Sequence, residues 1–290
     1  MKKNLRLWVQ ICSAALTNGY ILGFTKGQIY QGSTKALCVP GLNCYSCPGA
    51  LASCPIGSLQ AVLGSRDFRF SFYVIGFLMV VGSFFGRFIC GWLCPFGLVQ
   101  DLLNKIPLPQ RLRFWKRNNL PGHRYLKYLK YVILIIFVLL MPLFLLDITG
   151  LGTPWFCKLI CPAGTLEAGI LLPLLNPTLQ SAIGWLYAWK VFLLVLLIVL
   201  SIFVYRPFCK YLCPLGAIYG CFNPIALYRF QIDKSACIEC HACQLACPME
   251  IPVYESPNSM ECIRCGKCRK ACPTDCIHTT FERKEKKEAK

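Results

Sequence analysis

Of the 290 residues, 21 are cysteine, and eighteen of these fall in short runs of the kind that hold iron–sulfur clusters. Cys237, Cys240, Cys243 and Cys247 spell C-x2-C-x2-C-x3-C-P, and Cys262, Cys265, Cys268 and Cys272 spell it again. Thiolates are the usual ligands of a [4Fe-4S] cube, and this spacing lets three close cysteines grip one cube while the fourth reaches its neighbour. The runs therefore assign Cys237, Cys240, Cys243 and Cys272 to one cluster, and Cys262, Cys265, Cys268 and Cys247 to another. Paired C-x2-C also makes zinc sites, but two complete runs that each end in Cys-Pro favour clusters. Cys237–His241 reads C-I-E-C-H, the pattern of covalent haem attachment. Both cysteines are already engaged, and His123, His241 and His278 are the only histidines. His241 is read as a polar neighbour of a cluster.

Upstream, among apolar segments, a second phrase recurs four times: CPIG at Cys54, CPFG at Cys94, CPAG at Cys161 and CPLG at Cys213. Proline after cysteine cannot continue an earlier helix but suits the first turn of a new one. The N–H groups freed at such a helix start favour an anionic, thiolate-ligated group. Glycine two residues on permits close approach of something bulky. The phrases align as two halves, Cys47 to Gln60 with Cys90 to Gln100, and Cys157 to Glu167 with Cys209 to Tyr219. Each half reads as cysteine pair, apolar span, cysteine pair; internal repeats of this kind often place a functional site at their junction.

The elements that must position these sulfurs are membrane helices. The chain is 56% hydrophobic with a mean hydropathy of +0.50. Leu5–Phe24, Phe70–Ile89, Tyr128–Leu146 and Ile183–Tyr205 are each long enough to cross about 30 Å of hydrocarbon. The net charge of +18 excludes no class by itself, but its distribution speaks against nucleic acid. Positive residues cluster at Lys2, Lys3 and Arg6, from Lys105 to Lys130, and beyond Arg206. Residues 26–69 hold only Lys26, Lys35, Arg66 and Arg69, and 148–184 only Lys158. The positive-inside rule then places both termini and the 90–127 loop in the cytoplasm of a multi-pass inner-membrane protein.

That topology sorts the cysteines. Cys90, Cys94, Cys209 and Cys213 fall at cytoplasmic ends of spans and are assigned to a third cluster. Cys54, Cys157 and Cys161, with Cys47 favoured over Cys44, fall at outer ends and form a fourth. Two alternatives stay open: Cys38, Cys44, Cys47 and Cys54 holding a cluster among themselves, or an exposed Cys38–Cys44 disulfide. Cys12, Cys221 and Cys276 lack a motif and are read as small buried residues. The expected fold is an α-helical membrane protein of about four transmembrane helices with an internal two-fold repeat, followed by an α+β two-cluster ferredoxin domain. Residues 1–225 form the membrane part (halves about 26–106 and 148–225), 226–281 the ferredoxin domain and 282–290 a charged tail.

From Cys90 onward the chain resembles the NapH family of membrane ferredoxins, the C-terminal region of NosR and the CcoG-type polyferredoxins. The resemblance rests on Cys90-x3-Cys94-Pro, Cys209-x3-Cys213-Pro and the two ferredoxin runs in the same order. It implies electron transfer between the quinone pool or a cytoplasmic donor and a partner on the outer side. The outer cysteines depart from the NapH pattern, and a cluster there would pass electrons directly to a flavin or haem partner. Four [4Fe-4S] clusters, membrane lipid, further oxidoreductase subunits and a cytoplasmic donor or acceptor are the expected cofactors and partners. Quinone is a further candidate, with Arg87, Arg206, Trp155 and Phe156 as linings; snorkelling and interfacial anchoring explain the same residues more simply. A metallo-enzyme assembly or metal-reductase role of CcoG type, and a redox sensor, are the competing functions. No G-x-G-x-x-G occurs, so nicotinamide or flavin chemistry is expected on another subunit.

Overall fold

The computed structural model describes residues 5–65, 69–113, 116, 118, 120–145 and 152–282. Residues 283–290 of the expected 282–290 tail, together with Lys2, Lys3, Arg66 and Leu146, lie outside them. The described chain is mostly helical, and two helices are long and apolar enough to cross a membrane, His123–Phe144 and Trp185–Phe203. Most of each faces away from the protein, with Ile135, Leu139, Leu143, Phe192, Val195 and Val199 all exposed. Exposed apolar area on that scale needs an apolar surrounding.

The other two expected spans are interrupted. Helix Leu5–Thr17 gives way at Asn18–Tyr20 to a short helix, Ile21–Lys26, which ends on Gly27 in the left-handed region at φ 62°. Helix Arg69–Phe85 stops at Gly86, where a φ of +51° turns the chain into the separate helix Phe88–Trp92. Only glycine enters that region without steric cost. A Cβ at Gly86 would also strike Asn223 Oδ1.

Every Cys-Pro phrase builds the same helix start. Cys54, Cys94, Cys161 and Cys213 each cap a helix from an extended backbone (φ −65° to −76°, ψ 111° to 127°), with proline at the first helical position. In the three C-x3-C-P units a short helix carries the first cysteine: Phe88–Trp92, Trp155–Leu159 and Pro207–Tyr211. Each unit is closed by one equivalent bond, from the second cysteine's N–H to the carbonyl of Ile89, Phe156 or Phe208. The phrase at Cys54 has six residues between its cysteines and no such helix.

Residues 38–54 fold inward instead of lying as an outer loop. Leu42, Asn43, Cys47 and Ala50 are all buried, and Cys38 bridges to Ser53. Irregular backbone is stable there because protein surrounds it. Tyr219 donates its hydroxyl to the Pro40 carbonyl (3.0 Å), and Gly41 lies against Cys94 and Pro95.

The C-terminal part is a small two-strand unit in which Phe230–Ile232 pairs antiparallel with Ile277–Thr279. Its own core comprises Phe230, Met249, Ile251, Val253, Ile263 and Ile277 with the cysteines. The loop Met260–Arg264 docks on the helical part. Glu261 accepts from Arg87 (2.9 Å) and Lys130 (2.6 Å), and Trp92 Nε1 donates to the Arg264 carbonyl (3.1 Å). Burial alone would raise the Glu261 carboxyl, but Arg87 and Lys130 outweigh it and hold it below the usual carboxylate range.

Candidate iron–sulfur sites

In the C-terminal unit, Cys237, Cys240, Cys243 and Cys272 line one pocket, and Cys247, Cys262, Cys265 and Cys268 line another. This is the exchange of the fourth cysteine that the spacing predicts. The backbone explains it. Glu239, His241 and Glu250 in one half match Arg264, Gly266 and Asp275 in the other, all at positive φ between 48° and 74°. Such left-handed residues set into a turn direct successive N–H groups to one side and form an anion-binding concavity. Burial pushes the Cys262 and Cys268 thiols up to about 12. Without a bound cation these sulfurs stay protonated; iron is the charge that makes them thiolates. His241 lines the first pocket, its ring edge-on to Tyr254 at 4.7 Å. Cys276 lines it too, 3.4 Å from Cys272 Sγ, a fifth sulfur that no run motif revealed.

Cys90, Cys94, Cys209 and Cys213 form a third group, here termed the proximal set. All four are buried in the helical core within electrostatic reach of one another. Two arginines frame it by crossing over. Arg87, three residues before Cys90, donates to the Cys209 carbonyl (3.0 Å). Arg206, three residues before Cys209, donates to the Cys90 carbonyl (2.5 Å). Gly97 and Gly216, the glycines of CPFG and CPLG, make room: a Cβ on either would lie 3.2–3.3 Å from the guanidinium. The bulky neighbour anticipated for those glycines includes arginine. Both arginines are 0% exposed and ion-paired, Arg87 with Glu261 and Arg206 with Asp101. They are enclosed by protein and do not snorkel, the simpler expectation, because Glu261 and Asp101 meet them inside the fold.

A fourth, distal group lines a cavity of about 930 Å³ that contains Cys44, Cys54, Cys157 and Cys161. Cys44, rather than the favoured Cys47, faces it. The inward fold of 38–54 turns Cys47 Sγ toward Asn18 Oδ1 (3.5 Å) instead. Cys38 does not line the cavity either, so the set drawn wholly from 38–54 is not assembled. All 21 cysteines are free, and the Cys38–Cys44 disulfide is absent. Two lysines supply positive charge, Lys35 in the wall and Lys190, which donates to the Cys157 carbonyl (3.1 Å). Phe156 is fully buried, and Trp155 stacks under the Lys158 ammonium at 5.5 Å. Cys12 and Cys221 are exposed, contrary to expectation, because they sit on outward faces of apolar helices; Cys276 is buried.

Among the described residues no three His, Cys, Asp or Glu side chains are drawn tightly enough for a single metal ion. Groups of four thiols, fully buried only in the proximal set, and each flanked by cations or inward N–H groups, fit a larger anionic cube instead. The groups are contiguous. The Ile263 carbonyl, next to Cys262, packs where a Cβ of Gly91 would be, beside Cys90. Gly41 touches Cys94, and three residues later Cys44 opens on the distal cavity.

Comparison with known proteins bears on this donor set. A family described as 4Fe-4S binding domain matches residues 70–116, 134–172 and 185–232, and one described as 4Fe-4S dicluster domain matches 229–273. The chain is thus an iron–sulfur protein of the [4Fe-4S] type. It belongs to the NapH/NosR-like polyferredoxins. An uncharacterized protein of Methanocaldococcus jannaschii is 30% identical over 63% of this chain and 68% of its own length. The putative electron transport protein YccM of Escherichia coli is 25% identical over 60% and 45%. The ferredoxin-type protein NapH of Haemophilus influenzae is 28% identical over 63% and 54%. This chain therefore spans only about half of the latter two relatives. No solved structure matches it.

Proposed function

We propose that this chain is a membrane electron-transfer subunit that conducts electrons through four [4Fe-4S] clusters, from a cytoplasmic ferredoxin-type domain to the outer side of the membrane. The ligand sets are Cys237, Cys240, Cys243 and Cys272; Cys262, Cys265, Cys268 and Cys247; Cys90, Cys94, Cys209 and Cys213; and Cys44, Cys54, Cys157 and Cys161. When bound, each cube supplies one-electron chemistry at a potential set by its surroundings. The protein's own work is to hold the sulfurs, supply cations and exclude water. In this reading the segments around 5–26, 69–85, 123–144 and 185–203 are four spans, and the two halves of the repeat contribute two sulfurs each to the proximal and distal sets.

The observation that carries the reading is the packing between cysteine sets: Ile263, next to Cys262, lies on Gly91, next to Cys90, and Gly41, three residues before Cys44, lies on Cys94. An isolated, tethered ferredoxin would have no use for buried thiols beyond its docking face. The printed names of YccM and NapH, electron transport and ferredoxin-type, agree with it. The natural donor, the acceptor and any further oxidoreductase subunits belong to the same proposal, with a flavin or haem protein expected at the distal end.

Proteoliposomes test it. Reduced ferredoxin added on the side of the C-terminal domain is expected to reduce an acceptor enclosed on the other side. Cys161→Ser should bring that rate down to the level of protein-free vesicles. An undiminished rate in Cys161→Ser would contradict conduction through the distal set.

A further inference from the structure

Six residues after the cysteine of each Cys-Pro phrase stands a polar side chain: Gln60, Gln100, Glu167 and Tyr219. All four reach beyond their own helix. Glu167 accepts the backbone N–H of Cys44 (2.6 Å), and Tyr219 donates to the Pro40 carbonyl. The two glutamines differ, because each meets a sulfur. Gln100 Nε2 lies 3.2 Å from Cys209 Sγ, and Gln60 Nε2 lies 3.4 Å from Cys157 Sγ.

The orientation of these amides is fixed by a second contact. Gln100 Oε1 accepts the backbone N–H of Phe208 (3.2 Å), and Gln60 Oε1 accepts that of Phe156 (2.9 Å). A peptide N–H can bond only the oxygen end of an amide, so the NH2 end must face the sulfur. Phe208 and Phe156 each directly precede one of these cysteines, so the same side chain seats the helix that carries the sulfur it touches. Gln60 is 0% and Gln100 1% exposed, and no bulk water competes for either amide.

We infer that Gln100 and Gln60 are potential-setting positioning residues, one for the proximal and one for the distal cluster. Each donates an amide N–H to a ligating thiolate supplied by the other half of the repeat. The inference rests on the ligand sets proposed above. Donation to sulfur draws off negative charge and is stronger toward the reduced, more anionic state, so it raises the reduction potential. Glu167 and Tyr219 meet backbone atoms, so of the four matched positions just one per site supplies an amide to sulfur.

Full-length Gln100→Leu and Gln60→Leu proteins, purified anaerobically, test this by iron and sulfide analysis followed by redox titration monitored by EPR. Wild-type iron content is expected in both, with one midpoint lowered in each variant and a different one in each. Unmoved midpoints at full iron content overturn the inference and leave the ligand sets standing. A wild-type content of only about eight irons per chain, the content of the two ferredoxin clusters alone, removes the ligand sets themselves. If the leucine variants lose iron, wild-type protein carrying 15N in its glutamine side chains decides. Pulsed EPR of the reduced protein is then expected to detect coupled amide 15N, and its absence overturns the inference.

Discussion

Arg87 holds four things at once: the Cys209 carbonyl, the Met260 carbonyl, the Glu261 carboxylate and, through its own N–H, Asn223 Oδ1. One side chain thus ties the proximal sulfurs to the docked ferredoxin loop. Glu261 is the acidic end of that tie and neutralises both Arg87 and Lys130, whose side chains are 0% exposed. Removing one partner of a buried pair typically costs about 3–5 kcal/mol, because the remaining charge stays desolvated. Glu261→Gln is accordingly expected to loosen the docking of residues 226–282 by about that amount. Hydrogen exchange across the C-terminal unit checks it; protection equal to wild type would contradict the role given to Glu261.

The recurring element is a helix that begins at Cys-Pro and accepts a neighbour against its glycine. At Gly97 a Cβ would lie 3.1 Å from the Cys90 carbonyl and 3.2 Å from Arg206. Gly97→Ala is expected to displace Arg206 and lower the iron content by up to one cube, about four irons. Gly76→Ala, on the Arg69–Phe85 helix with nothing within 4 Å of the added carbon, is the matched control and should keep full iron. Gly91→Ala acts elsewhere, since its Cβ would enter the Ile263 carbonyl. It should leave iron content unchanged but slow electron passage from the C-terminal unit to the proximal set, read by freeze-quench EPR; unchanged kinetics would contradict that contact as the route.

These elements also mark how far the sequence could be read. The exchange of Cys247 and Cys272 was legible because the run spacing dictates it locally. So was the Cys-Pro helix start, which proline imposes through its fixed φ and missing N–H. The pairing of Cys44 rather than Cys47 with Cys54 was not, since six residues separate Cys47 from Cys54 and nothing local holds that stretch in the C-x3-C form. Arg87 and Arg206 looked like interfacial residues because their partners, Glu261 and Asp101, lie 174 and 105 residues away in sequence. Gln60 and Gln100 were present at the end of each aligned phrase, and the shared offset of six residues was the signal that could have marked them.

At the scale of the whole molecule, four groups of cysteines succeed one another from the C-terminal pockets to the distal cavity, joined by Ile263 on Gly91 and by Gly41 on Cys94. The helical part encloses the two groups that the ferredoxin motif does not explain, and it shows its apolar faces outward along His123–Phe144 and Trp185–Phe203. Cations stand at both enclosed groups, Arg87 and Arg206 at one, Lys35 and Lys190 at the other. That matching of charge is what an anionic cube buried in protein requires. Anaerobic determination of iron and acid-labile sulfide in the purified chain tests this most directly. Four cubes predict about sixteen of each per chain. About eight of each would contradict it.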